Sequence, residues 1–263
     1  MWPRGLWLSS RYARHERASG TLVDPLAYFY IGLAAFLVGF TKTSVGGVGI
    51  LAVLLMALAI PGSSSPGVLL PMLIAADIMA VIYYRRACQW RILARLIPPA
   101  ILGVALAWWF LSVTSGYDFN QLIGWVILAM LALDILISDG LRALVQGKLL
   151  TGVIGTMAGA ASMVANAAGP IFGIYLLQMG LSKSEFIGTR SWFFLLVNIV
   201  KLPFAIGLGI TTSQSLSLNL YYLPVILLGA ILGKQLISYI NLGLFKILIR
   251  AAVLAAAARL ILG

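Results

Sequence analysis

Two glycine- and polar-rich segments interrupt hydrophobic stretches at matching positions in the two halves of this chain. The first break covers residues 39–49 and the second break covers residues 159–170, so their first glycines, Gly39 and Gly159, lie 120 residues apart. Lipid cannot hydrogen-bond the backbone N–H and C=O groups that such a break exposes, so a break inside a membrane persists only against protein, a cavity or a bound molecule. The pattern therefore predicts two equivalent helical hairpins.

Composition identifies the class of protein. Hydrophobic residues make up 62% of the 263 residues and charged residues 10%, whereas soluble domains carry about a quarter charged residues. The formal net charge is +11, but most Lys and Arg residues lie at the ends of apolar segments, where the positive-inside rule explains them better than nucleic-acid binding does. The single cysteine, Cys88, and the single histidine, His15, argue against a disulfide and against a metal centre. We expect a polytopic membrane protein without a cofactor.

Apolar windows predict ten helical segments. They are 26–40, 46–60, 67–84, 93–113, 120–138, 149–164, 168–180, 188–208, 222–238 and 243–262. The first two segments of each half are short and flank a break, so we expect membrane-embedded hairpins over 26–60 and 149–180. Three transmembrane helices are predicted to follow each hairpin. The expected fold is therefore an all-α membrane protein with repeats at 26–140 and 149–262, preceded by a tail at 1–25.

Loop charge predicts the orientation of the repeats. Cytoplasmic loops are rich in Lys and Arg, and four loops carry or adjoin such residues: 85–95, 139–148, 181–190 and 239–246. Loops 114–119 and 209–221 carry neither residue and are expected outside. These assignments return both ends of 149–180 to one side, so the repeats are predicted to be inverted relative to each other. Both termini are then expected on the extracytoplasmic side, including the arginine-rich tail.

Broken helices at equivalent positions of two repeats are typical of secondary transporters, whose binding site lies between the repeats. A channel is an alternative, because broken hairpins also line channel filters. The sequence has no GxxxxGK[ST] loop, so ATP-driven transport by this chain alone is not expected. An intramembrane enzyme is not expected either, because His15 lies outside the hydrophobic region and the intramembrane acids are scattered.

Several motifs carry a family resemblance. They are the first break itself, Ala165-Asn166-Ala167-Ala168-Gly169-Pro170, Tyr175-Leu176-Leu177, Gly188-Thr189-Arg190, Trp192-Phe193-Phe194 and Asn198-Ile199-Val200-Lys201. Over most of 26–262 the chain resembles the TauE/SafE family of sulfite exporters and 4-toluene sulfonate uptake permeases. The resemblance implies a multi-pass inner-membrane transporter for sulfite, organosulfonates such as sulfoacetate, or related anions. Lys42-Thr43-Ser44 departs from the usual first-half pattern, which leaves the substrate open, with other small organic anions as an alternative.

Residues of the first break are predicted to bind the substrate. A cation, two hydroxyls and glycine N–H groups at a helix break favour an anion, and glycine allows close approach of the backbone. The candidates are Lys42, Thr43, Ser44, Gly46 and Gly47. The alternative interpretations are that Lys42 extends to the membrane interface and that the glycines serve only close helix packing.

The second break and the following long helix supply the remaining substrate-binding candidates, which are Asn166, Gly169, Asn198 and Lys201. The Asn166 amide is expected to bond a substrate oxygen or to cap the broken helix. Asn198 and Lys201 lie three residues apart and therefore on one helix face. A lysine in the middle of a membrane helix needs a partner, so we expect Lys201 to contact substrate or a coupling ion, or alternatively to pair with an acid, Asp77.

Asp77 lies in the middle of a predicted membrane helix and is the candidate carrier of a coupling proton. Thr189 and Arg190 lie near the expected cytoplasmic end of the long helix and are candidate gate or interface residues. The tips of the two hairpins are expected to meet near the bilayer centre, because their free backbone groups must be shielded from lipid. The sequence leaves homo-oligomerisation open.

Overall fold

A computed structural model describes residues 25–44, 49–60, 62, 64–114, 118–136 and 147–236. Within these ranges the chain is helical and forms no strand. Nine α-helices occur in this part of the chain: α1 Pro25–Thr43, α2 Gly49–Ala59, α3 Ser64–Tyr84, α4 Trp90–Val113, α5 Phe119–Leu136, α6 Lys148–Ala165, α7 Gly169–Leu177, α8 Lys183–Gly207 and α9 Ser213–Leu236. A 3-10 turn, Arg85–Ala87, follows α3. The predicted helix 243–262 lies outside the described residues.

Five of the described helical segments are long and apolar enough to cross a membrane. They are α1, α3 with its 3-10 turn, α4, α8 and α9. The helices that follow the two breaks, α2 and α7, are shorter, with 11 and 9 residues. The prediction of an all-α polytopic membrane protein is confirmed, because long apolar helices satisfy their own backbone hydrogen bonds in lipid.

One predicted loop is wrong in part. The segment 209–221, which lies between two predicted apolar segments, is predicted to be a loop, yet α9 begins at Ser213. Thr212 and Ser215 cap this helix reciprocally: Ser215 N donates to Thr212 Oγ1 (3.3 Å), and Thr212 N donates to Ser215 Oγ (2.9 Å). Asn219 is buried, and its amide nitrogen donates to the Val68 carbonyl oxygen of α3 (2.9 Å). Polar residues here start a helix and join it to its neighbour.

Helices from different halves of the chain pack closely at glycines. The helix before the first break, α1, runs along α9, and the helix before the second break, α6, runs along α4. A Cβ on Gly39 would overlap the carbonyl oxygen of Ile226, and a Cβ on Gly159 would overlap the carbonyl oxygen of Ala100. Such close backbone approach is how membrane helices gain packing contacts when lipid gives no hydrophobic driving force between them. The helices α3 and α8, which also come from different halves, pack against each other as well.

Candidate functional site

The long helix α8 places two buried cations beside the two breaks. Arg190 and Lys201 are eleven residues apart, which is about three helical turns, so their side chains leave the same face. Only 6% of Arg190 and 2% of Lys201 are exposed. A capping box starts this helix, with the Ser182 hydroxyl accepting from Glu185 N and the Glu185 carboxylate accepting from Ser182 N. The helix therefore begins five residues before its predicted start at 188.

Arg190 caps the helix that enters the first break. Its Nη2 atom donates to the carbonyl oxygens of Thr41 (2.6 Å), Lys42 (3.3 Å) and Ser44 (2.8 Å). The last four carbonyls of a helix lack intrahelical partners, and a cation there also complements the helix dipole. The Tyr84 hydroxyl donates to the carbonyl oxygen of Thr43 (3.3 Å). The predicted gate or interface residue Arg190 thus fixes the end of α1.

Lys42 forms an ion pair inside the protein. Its Nζ lies 2.8 Å from Oδ1 of Asp77, which is fully buried on α3, and 4.2 Å from the centroid of the Phe194 ring. Asn198 Nδ2 donates to the other carboxylate oxygen, Asp77 Oδ2, at 2.7 Å. Lys42 is 9% exposed, so the alternative that it extends to the membrane interface is wrong. Three sequence candidates, Lys42, Asp77 and Asn198, therefore lie in one cluster.

Lys201 caps the helix that enters the second break. Its Nζ donates to the Ser162 carbonyl oxygen (2.9 Å), to Ser162 Oγ (3.0 Å) and to Asn166 Oδ1. An ammonium group has three donors, so these neutral oxygens match its full capacity. The alternative pairing of Lys201 with Asp77 is wrong, because the ion pair of Asp77 is with Lys42.

Asn166 connects the second break to two helices. Its backbone is left-handed, with φ of 53°, a conformation that Asn tolerates better than most residues. Its side-chain Nδ2 donates to the Pro66 carbonyl oxygen at the start of α3 (3.1 Å), while its Oδ1 accepts from Lys201 of α8. The capping role expected for Asn166 is therefore present. Gly169 begins α7 and is exposed.

Thr189 lies at an interface near the start of α8. It is fully buried, and its Oγ1 accepts a hydrogen bond from Gln89 N (2.9 Å) in the segment between α3 and α4. Gln89 Nε2 donates to Glu185 Oε1, and the rings of Trp90 and Trp192 lie 5.1 Å apart. These contacts attach the start of α8 to the start of α4.

The described charged residues inside the protein carry an excess of positive charge. Lys42, Arg190 and Lys201 are buried basic residues, and Asp77 is the buried acid among the described residues, which gives a formal net charge of +2. Buried charge without a counter-charge is unfavourable in a membrane protein. An arriving anion would therefore be stabilised here, and a cation would be repelled.

Sequence reasoning missed several residues of the site. Ser162 lies 120 residues after Lys42, so the repeat offset could have identified it as the equivalent position. The roles of Tyr84 and Phe194 depend on which helices pack together, and no local pattern indicates this. Gly46 and Gly47 lie outside the described residues. The expected meeting of the two tips stays a prediction, because 45–48 is outside the described ranges.

Comparison with known proteins identifies the family. No curated protein and no solved structure matches the chain. The family model described as sulfite exporter TauE/SafE matches residues 31–260, which is nearly the whole chain and includes both breaks and α8. The protein therefore belongs to the TauE/SafE family.

Proposed function

We propose that this protein is a secondary active transporter that moves small sulfur-containing anions across the inner membrane in a proton-coupled manner. Sulfite and organosulfonates such as sulfoacetate are the proposed substrates. The family description, sulfite exporter, supports a sulfur anion. The observation that carries the proposal is the burial of three basic residues and one acid around the two breaks, a formal net charge of +2 among the described residues.

The proposed site lies between the two breaks. The proposed site includes Lys42, Thr43 and Ser44 at the end of α1, together with the N–H groups of Gly46 and Gly47 that follow them in the sequence. From the second half the proposed site includes Asn166 and the α7 N-terminus at Gly169, where the positive end of the helix dipole favours an anion. From α8 the proposed site includes Asn198 and Lys201. The three Lys201 donors are held by protein oxygens, which supports a contribution through positive potential.

Packing between the helices supports two equivalent repeats at 26–140 and 149–262, and the predicted loop orientations make these repeats inverted. The contact of α1 with α9 corresponds to the contact of α6 with α4 when the first half is matched to the second. In the same correspondence α3 matches α8, and these two helices pack against each other. Inverted repeats of this kind permit alternating access by rocking one repeat against the other. With the predicted loop orientations, both termini would be extracytoplasmic.

A carrier is favoured over an anion channel by the burial of the charged cluster. Lys42, Asp77, Arg190 and Lys201 are enclosed by protein, as expected for an occluded state of a carrier. The test is uptake by purified protein in proteoliposomes, with sulfite, sulfoacetate, taurine, thiosulfate and acetate as competitors. Saturable uptake that sulfur oxyanions inhibit more strongly than acetate would support the proposal. Ohmic conductance, or transport of a cation, would contradict it.

A further inference from the structure

The three buried cations differ in what they contact. Arg190 and Lys201 donate to neutral oxygens at the ends of α1 and α6. Lys42 instead contacts a carboxylate, Asp77 Oδ1 at 2.8 Å, and the face of the Phe194 ring. A carboxylate is itself an oxyanion, so it occupies a position on Lys42 that another oxyanion of similar size can take. The contacts of the other two cations hold the helices that form the breaks.

Resting on the function proposed above, we propose that Lys42 is the substrate-binding cation and that substrate and Asp77 exchange places on it. In one state the ammonium of Lys42 is paired with the Asp77 carboxylate. In the other state Asp77 carries a proton on Oδ1, and an oxygen of the substrate anion lies against Lys42. Arg190 and Lys201 remain in place as positioning residues in both states.

Asn198 determines which oxygen of Asp77 takes the proton. Its Nδ2 donates to Oδ2 at 2.7 Å, so Oδ2 is held as an acceptor. The proton is therefore accommodated on Oδ1, the oxygen that faces Lys42 at 2.8 Å. An ammonium has donors only, so a protonated Oδ1 with its hydrogen directed at Lys42 would place two donors against each other. Protonation of Asp77 and release of Lys42 then become one event.

Surrounding charges couple this event to the arrival of the anion. Lys42 faces Asp77 from α1, and Asn198 faces it from α8. Arg190 and Lys201 lie further along α8. The described part of α2 has no titratable residue, and on α9 Lys234 lies over the Tyr83 ring instead. Protonation of Asp77 raises the formal buried charge from +2 to +3, and a monovalent anion restores +2. One proton therefore enters with each anion, and the cycle moves no net charge for a monovalent substrate.

The first test replaces Asp77 by Asn, an uncharged group of the same shape that resembles the protonated acid. In the unaltered protein, anion affinity should fall by up to about tenfold per pH unit as the pH rises, because binding takes up one proton. In Asp77→Asn, sulfoacetate affinity should change less than about twofold over the same range. Anion exchange should persist, but uptake driven by a pH gradient should be lost. Lys42→Gln should lose binding at every pH. Asp118→Asn, which alters an exposed acid at the start of α5, is the matched control.

A second measurement uses only the unaltered protein, so it does not depend on a variant folding. Uptake of a monovalent sulfonate is measured in proteoliposomes while potassium and valinomycin set the membrane potential. Entry of one proton with each monovalent anion is electroneutral, so it predicts equal initial rates at potentials of either sign. Uptake of the anion alone would increase with a positive interior. A dependence on potential, pH-dependent binding in Asp77→Asn, or binding in Lys42→Gln would overturn the exchange. If the unaltered protein transports no sulfur anion, the proposed function itself fails.

Discussion

The two breaks have equivalent positions but different charge arrangements. Lys42 precedes the first break's glycines, and Ser162 occupies the equivalent position 120 residues later. The first break thus carries its own cation, which pairs with Asp77 of α3. The second break carries a hydroxyl instead and takes its cation, Lys201, from α8. Two halves with matching helices therefore divide the charges unequally between them.

This difference indicates a division of roles. A buried ion pair can be exchanged for another ion pair, because the carboxylate can be neutralised by a proton. An ammonium bonded to three neutral oxygens has no partner that titrates in the same way. In the proposed mechanism the first break therefore carries the exchangeable ion pair, and the second break keeps a fixed shape. Both are attached to the same helix, since Arg190 caps α1 and Lys201 caps α6.

The largest effect is expected where the two halves are alike, at the glycine crossings. Gly159→Val should prevent most of the protein from folding, because even a Cβ would overlap the Ala100 carbonyl oxygen of α4. Overpacking of a close contact costs about 3 kcal/mol or more at such a site. Gly39→Val should fail equally, because its Cβ would overlap the Ile226 carbonyl oxygen. The measurement is the yield of monodisperse protein after extraction in detergent.

Glycines of the same two helices provide the controls. Gly152 of α6 has no described atom within 4 Å of a Cβ, and a Cβ on Gly32 of α1 would meet only an ordinary contact, with Tyr222 at 3.4 Å. Gly152→Ala and Gly32→Ala should therefore give normal yields. A fold that tolerates valine at Gly39 but not at Gly159 would show that the two halves differ in packing as well as in charge.

The next effect separates the charge arrangements of the breaks. Lys42→Met leaves the Asp77 carboxylate buried without its counter-charge, which costs about 3–5 kcal/mol. Adding Asp77→Asn should recover most of that loss. Lys201→Met should cost about 1–3 kcal/mol, because neutral oxygens lose their donor, and Asp77→Asn should not rescue it. Thermal unfolding of the single and double variants in detergent gives the coupling free energy of each pair. This free energy should exceed about 2 kcal/mol for Lys42 with Asp77 and stay below about 0.5 kcal/mol for Lys201 with Asp77. Equal coupling energies would contradict the division of roles.

The sequence predicts the breaks well because the physical constraint on them is local. Hydrophobic windows and glycines locate a helix end inside a membrane, and the predicted start of the second break's following helix at 168 is confirmed within one residue by Gly169. The partner of Asp77 was not predictable in the same way. A spacing of three residues places Asn198 and Lys201 on one face, but which cation reaches Asp77 depends on how α1 packs against α3. Asn219 shows the same limit, because it falls in the predicted loop 209–221, whereas its amide donates to a carbonyl on α3.

A smaller effect is expected from the backbone of the second break. Asn166→Ala should reduce substrate affinity about 10- to 100-fold, because a half-buried amide that bonds Lys201 and the Pro66 carbonyl is lost. Asn166→Gly removes the same bonds but tolerates the left-handed conformation, with φ of 53°. Alanine there should be less stable than glycine by about 1 kcal/mol. Binding and thermal unfolding of both variants test this, and equal stabilities would show that the left-handed turn is not maintained by residue 166.

The smallest effect concerns the segment that holds α8 beside the first break. Cys88, the single cysteine of the sequence, precedes Gln89, whose N–H donates to Thr189, the residue before the cap Arg190. Burial raises the pKa of the Cys88 thiol to about 11, although a hydrogen bond with Thr189 lowers it. The thiolate is the reactive form, so alkylation by iodoacetamide should rise about tenfold per pH unit without levelling off up to about pH 10. A thiol with an ordinary pKa near 8.5 would level off by about pH 9.5. Such a plateau would show that this segment separates from α8 in the detergent-solubilised protein. Slower alkylation in Thr189→Val would show that the segment stays attached, because the hydrogen bond that lowers the thiol pKa is then lost.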